Sequence, residues 1–181
     1  MSQIVYRDAA DGDAAALATF ARESWLATFG NLPYPPEDLR SYLTEKYGEP
    51  IQRAEIADPE VRYRLALRDG QIVGYCMMGP LDMPVDDAQG LELYRLYVDE
   101  SVKGAGVADE LMRDCVAWVR GKGATAVYLS VWEENHRAQR FYRRHGFQDH
   151  SEWQFMVGKS ADRDLIWKLA LESVSEKERF E

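Results

Sequence analysis

The chain is expected to fold as a mixed α/β domain around one central sheet. Two observations support this. Short apolar runs with strand-like alternation recur, bounded by turn residues, and segments of helical periodicity stand between them. Of 181 residues 46% are apolar, enough for a substantial core without metal or disulfide help. No internal repeat or linker interrupts the pattern. The expected layout is a single domain over residues 1–171 and a charged, frayed tail over residues 172–181.

Ile4–Asp8 reads as a short strand. Asp11 or Asp13 is placed to cap a helix carrying Leu17, Phe20, Ala21, Ser24 and Thr28 at helical spacing, which Gly30 ends. Asn31-Leu32-Pro33-Tyr34-Pro35-Pro36 is a turn-rich connector. The acidic pair Glu37-Asp38 suits the start of a second helix through Leu39, Tyr42, Leu43 and Tyr47, and residues 49–57 add another turn or two. Arg62–Arg68 and Ile72–Met78 form a hairpin around Asp69-Gly70, a strong two-residue turn. A loop with Asp82, Asp86 and Asp87 leads to a strand at Leu91–Val98.

The following helix has two apolar rows, Val107, Leu111, Cys115, Trp118 and Ala108, Met112, Val116, Val119, and ends at Gly121 and Gly123. Ala126–Trp132 is a strand and Arg137–His145 a helix with Gly146 as its C-cap; strands near Ser151–Val157 and Asp164–Leu171 complete the domain.

Several function classes are disfavoured. A net charge of −9 argues against nucleic acid as a partner, whose binding needs basic patches. No apolar stretch reaches the roughly eighteen residues of a membrane span, and the first residues do not read as a signal peptide. The expected location is the cytoplasm. Cys76 and Cys115 sit in apolar segments and read as buried thiols. His136, His145 and His150 show no ligand spacing, so no metal is expected.

Chemistry concentrates in two places. Lys103-Gly104-Ala105-Gly106-Val107-Ala108 joins a strand to a helix. Such a turn presents unpartnered backbone N–H groups and the positive end of a helix dipole, and its glycines admit a pyrophosphate. Neither a GxGxxG fingerprint nor a P-loop is present. The alternative is a glycine-rich turn with no ligand. About thirty residues later comes Asn135-His136-Arg137-Ala138-Gln139-Arg140-Phe141-Tyr142-Arg143-Arg144-His145-Gly146-Phe147. Alone, this segment reads as a helix with Asn135 at its N-cap and Ala138 and Phe141 in the core.

In this order and spacing the two segments resemble the GNAT superfamily of acetyl-CoA-dependent N-acetyltransferases. Lys103, Gly106 and Ala108 occupy the defined positions of its Gln/Arg-x-x-Gly-x-Gly/Ala pattern, with Lys103 departing from the usual first residue. Asn135, Ala138, Phe141, Tyr142, Gly146 and Phe147 fit its Asn-x-x-Ala-x-x-Phe/Leu-Tyr-x-x-x-Gly-Phe motif. The likeness covers roughly residues 3–171, with its specific motifs within 91–147. The strand ending Trp132-Glu133, with Leu93–Val98 and Phe155-Met156-Val157-Gly158, looks more narrowly like the bacterial spermidine acetyltransferase branch.

The resemblance implies a three-layer fold: a mostly antiparallel sheet of about seven strands flanked by about four helices. It also implies acetyl-CoA as cosubstrate, held by Leu96, Tyr97, Val98, Lys103, Gly104, Ala105, Gly106, Val107, Ala108, Asn135 and Tyr142. Tyr142 would protonate the departing thiolate; the other reading is a structural phenol. A strand bulge around Leu96–Val98 would free a backbone N–H for the thioester oxygen. Near pH 7.4 only about one alkylamine in a thousand is neutral, a deficit of roughly 4 kcal/mol, so a base is needed. Glu92 is the candidate; the alternative is a surface strand carboxylate. Glu133, Asp82, Asp86 and Asp87 are weaker ones.

Trp25, Phe29 and Tyr34, with Tyr42, could line the acceptor pocket, or could be core residues. The implied reaction is direct attack by a primary amine in a ternary complex, with both cysteines as spectators. A polyamine is the leading acceptor, a peptide or protein N-terminal amine the next, and a non-catalytic acyl-CoA-binding module the rival. A homodimer is common in the superfamily.

Overall fold

The structure, a computed structural model, describes residues 3–171; the charged tail expected from the sequence lies outside them. In chain order the elements are β1 (Ile4–Asp8), α1 (Ala14–Phe29), α2 (Pro36–Tyr47), α3 (Glu49–Ala57), β2 (Arg62–Arg68), β3 (Gln71–Pro80), β4 (Gly90–Val98), α4 (Val107–Gly121), β5 (Ala126–Trp132), α5 (His136–Arg144), β6 (Gln148–Val157) and β7 (Ser160–Ala170). The seven strands form one sheet in the order β1-β2-β3-β4-β5-β7-β6, antiparallel except between β4 and β5. The fold class is the expected one.

The helices cover both faces. Leu111, Met112, Cys115 and Val119 of α4 pack with Cys76, Met78, Leu93, Val127, Leu129 and Trp167 of the sheet. Across the sheet, Leu17, Ala21 and Trp25 of α1 and Tyr42, Leu43 and Tyr47 of α2 pack on Leu65, Tyr75 and Met77. Leu17, Leu65 and Leu111 are fully buried, each stabilising the fold by roughly 1.5–3 kcal/mol.

Four local expectations are revised. Asp13 does not cap α1 through its side chain; its carboxylate turns back to accept the Ala10 N–H at 2.8 Å and the Arg7 guanidinium at 2.7 Å. Residues 49–57 form a separate helix because Gly48 breaks the path with an extended backbone (ψ 145°) before Pro50. The cap of α5 is His145, and Gly146 follows it at φ +88°. Finally, β6 and β7 are longer than the apolar alternation suggested. They form one hairpin through Gly158, and β6 is a largely exposed edge strand whose polar residues leave no periodic mark.

A bulge does occur in β4, but it lies at Tyr94 rather than within Leu96–Val98. Met77 pairs with Arg95 and Met78 with Leu93, leaving Tyr94 unmatched. The ring of Tyr94 stands over Gly79, where a Cβ would be 3.0 Å from it, and its hydroxyl bonds the Pro80 carbonyl. The extra residue shifts the alternation by one. Arg95 and Tyr97 therefore join Glu92 on the α1–α2 face, while Leu93, Leu96 and Val98 face α4.

Candidate active site

Strands β4 and β5 are paired over only three residues, Gly90–Glu92 with Ala126–Tyr128. Beyond Glu92 they part, opening a cleft of about 970 Å³. On the β3 side the ladder continues, and the Asp99 N–H bonds the Val73 carbonyl at 2.9 Å. Antiparallel ladders alternate. Tyr97 and Arg95 therefore turn their main-chain groups to β3, whereas Leu96 and Val98 turn theirs to the open side. The parted strands, and not a bulge at 96–98, release these N–H groups.

The glycine loop lies at the end of β4. Asp99 accepts the Ser101 N–H at 2.8 Å and begins a short helical turn. Gly104 and Gly106 then adopt φ of +80° and +79°, a region that disfavours side chains, with open space where a Cβ would stand. No side chain caps α4, so its first N–H groups are left for a ligand. This cradle fits a pyrophosphate, and the open β4 edge fits an extended thioester arm. Leu96, Tyr97, Val98, Lys103, Ala108, Asn135 and Tyr142 all line the cleft. Gly104, Ala105 and Gly106 are exposed beside it, whereas Val107 is 1% exposed and packs in the core. Lys103 is ion-paired with Glu100. Asp109, which would repel a phosphate near the start of α4, is engaged by His145, the cap of α5, at 2.8 Å.

Asn135 caps α5 by accepting the Ala138 N–H at 3.2 Å, so its structural role is present alongside its place in the cleft. Tyr142 packs against Phe147 with ring centroids 5.8 Å apart. Burial pushes its phenol well above the ordinary range, and the nearby Cys115 and Cys76 thiols push the same way. It is a protonated acid at neutral pH. The thiols themselves are buried; burial lifts Cys115 to about 12.

Glu92 is no surface carboxylate: it is 7% exposed and occupies the last rung of the β4–β5 ladder. Burial pushes its carboxyl up to about 7, against the pull of the Asp82 N–H that bonds Oε2 at 2.9 Å; the Asp82 charge adds to the rise. A carboxyl titrating there exchanges protons readily near neutral pH. Of the weaker base candidates, Asp87 is engaged by Tyr128 at 2.7 Å and Lys168 at 3.4 Å, Glu133 by Arg163, and Asp86 is exposed.

The aromatic residues serve both roles. Trp25 is 3% exposed and packs on Phe29, Tyr34 and Tyr42 with centroids 5.2, 6.0 and 4.9 Å away, yet all four also line the cleft. Sequence reasoning missed the opposite wall: Ser130, Asp162 and Asp164, which line the cleft with Trp153. It also missed Arg137 beside Asn135, and Arg95 on the floor. Arg95 lies 4.8 Å over the Tyr47 ring, donates to the Tyr63 hydroxyl at 2.9 Å and pairs with Glu55 at 3.4 Å. Among the described residues no group of three or more His, Cys, Asp or Glu could hold a metal ion, and no helix is long and apolar enough to cross a membrane.

Residues 20–147 match the Acetyltransferase (GNAT) family. An uncharacterized N-acetyltransferase of Lactobacillus delbrueckii subsp. lactis is 32% identical over 158 residues, 83% of this chain and 88% of that protein. The spermine/spermidine N(1)-acetyltransferase of Bacillus subtilis is 30% identical over 100 residues, 54% of this chain and 66% of that protein. The fold is shared with the PaiA N-acetyltransferase of Thermoplasma acidophilum, solved with coenzyme A. The TM-score is 0.75 at 23% identity, covering 93% of this chain and 99% of that one.

Proposed function

The chain belongs to the Acetyltransferase (GNAT) family and is an N-acetyltransferase; from that premise we propose that it transfers an acetyl group from acetyl-CoA to a primary amine by direct attack, the acceptor being a polyamine. The observation that carries this reading is a convergence. One cleft brings together a buried carboxyl near neutrality, a protonated phenol, the outward main-chain edge of Leu96 and Val98, and an uncapped helix start. The coenzyme A bound to the Thermoplasma protein and the spermine/spermidine acetylation for which the Bacillus relative is named support it.

Acetyl-CoA supplies an activated acetyl thioester; the remaining chemistry belongs to the chain. Glu92, directly or through water, accepts a proton from the acceptor ammonium, exposing the nitrogen lone pair. That pair forms the C–N bond at the acetyl carbon. One main-chain N–H on the open edge, that of Leu96 or of Val98, holds the carbonyl oxygen as negative charge develops there. The C–S bond breaks, Tyr142 gives its proton to the leaving sulfur, and the surplus proton on nitrogen returns to the Tyr142 oxygen. Glu92 then releases its proton to solvent. No covalent acetyl-enzyme forms. Cys76 and Cys115 are both buried.

Release of free CoA thiol from acetyl-CoA tests the reading with a panel of spermidine, spermine, aminoglycosides and peptides bearing Ala, Ser or Lys amines. Polyamine-dependent turnover well above the acceptor-free rate is expected. Preference for a peptide α-amine would replace the polyamine with the second acceptor class.

A further inference from the structure

The wall opposite Glu92 carries a buried acid that the chemistry above does not use. Asp164 of β7 is 7% exposed. Its Oδ2 accepts the Ser130 hydroxyl at 2.6 Å, and Ser130 Oγ in turn accepts the Trp153 indole N–H at 2.8 Å. Three strands, β5, β6 and β7, thus fix one carboxylate. Among the described residues no donor reaches its other oxygen, Oδ1. Its charged neighbours are Asp162 and Glu133, both acids. Arg163, next in the chain, is directed to Glu133 and Glu152 instead.

A buried carboxylate without a cation is costly, and burial lifts Asp164 to about 6. The side chain lines the same cleft as Glu92, and Trp153 and Tyr34 line it too. The missing partner is therefore a cation that enters by the cleft.

Resting on the reading of this cleft as an amine acetylation site, we propose that Asp164, oriented by Ser130 and Trp153, binds a second, remote ammonium of the acceptor. The acceptor is then a di- or polyamine whose reacting end lies at Glu92. The strand registers set its length. Glu92 aligns with Tyr128 and Asp164 with Trp132, on opposite sides of β5. Four residues of rise and two strand spacings place their Cα atoms on the order of 15 Å apart. An extended triamine spans most of that distance, while a short diamine does not.

The test compares wild type with Asp164→Asn, which is isosteric and keeps the Ser130 bond, and with Ser130→Ala as a second variant. Acceptors are spermidine, 1,2-diaminoethane and propylamine. In Asp164→Asn, kcat/KM for spermidine should fall about tenfold, or about 1.4 kcal/mol, mainly through KM. Selectivity for spermidine over propylamine should fall with it, and Ser130→Ala should move the same way by less. Equal losses for spermidine and propylamine, or no loss, would overturn the anchor. Calorimetric binding of spermidine to the CoA-saturated protein separates the two readings. Weaker binding by Asp164→Asn, in a protein that acetylates no amine, keeps the anchor and removes the polyamine acetylation reading. Unchanged binding, in a protein that acetylates spermidine, removes the anchor alone.

Discussion

Replacing Glu92 with Gln removes one buried titrating group while leaving an oxygen to accept the Asp82 N–H. In the folded protein burial holds this carboxyl at about 7 instead of 4.5. The folded state therefore binds the Glu92 proton more tightly than the unfolded chain. Its contribution to stability is fully present below pH 4.5 and is lost as pH rises to about 7. At 1.36 kcal/mol per pH unit the full loss is about 3 kcal/mol, of which about 2 kcal/mol falls between pH 5 and pH 8. Every other group titrates alike in both proteins, so this term survives in the difference. Thermal melting of wild type and Glu92→Gln should show the variant gaining roughly 4–8 °C on wild type from pH 5 to pH 8. Wild-type kcat/KM should rise with pH through about 7 as the base ionises, and the variant should lose about two orders of magnitude and that rising limb. A melting difference flat with pH would refute the raised carboxyl. A variant retaining the rising limb would remove Glu92 as the base.

Tyr142→Phe should lower kcat by about 10²–10⁴-fold while calorimetry finds acetyl-CoA still bound, because the ring packing against Phe147 is kept. Cys76 and Cys115, buried and with raised thiols, should react with Ellman's reagent only on unfolding; rapid labelling of the native protein would contradict the packing. Gly106→Ala meets no atom within 4 Å but must hold φ +79°, costing about 1–2 kcal/mol and weakening acetyl-CoA binding by calorimetry. Gly90→Ala would place a Cβ 2.7 Å from the Tyr128 ring, whose hydroxyl is held by Asp87. A loss of about 1–3 kcal/mol in denaturant melts should follow.

The legible parts were those written in local pattern. Helix α4 showed itself by two apolar rows, the β2–β3 hairpin by Asp69-Gly70, and the two motifs by glycine and aromatic spacing. The opposite wall of the cleft was not legible. Asp164 and Ser130 stand 34 positions apart, and only the β5–β7 ladder makes them partners. The bulge was misplaced by about two residues, because it depends on Tyr94 finding Gly79 across the sheet.

By itself the sequence determined the order of elements, the glycine turn whose backbone must take positive φ, and the helix that carries Tyr142. These follow from forces acting over a few residues: apolar periodicity, chain stiffness and capping. Tertiary structure alone decided where β4 leaves β5 and that Glu92 is buried at that point with its carboxyl lifted toward neutrality. It also decided that a second buried acid faces the same cleft. Desolvation and cross-strand register depend on residues distant in the chain, so neither has a local signature.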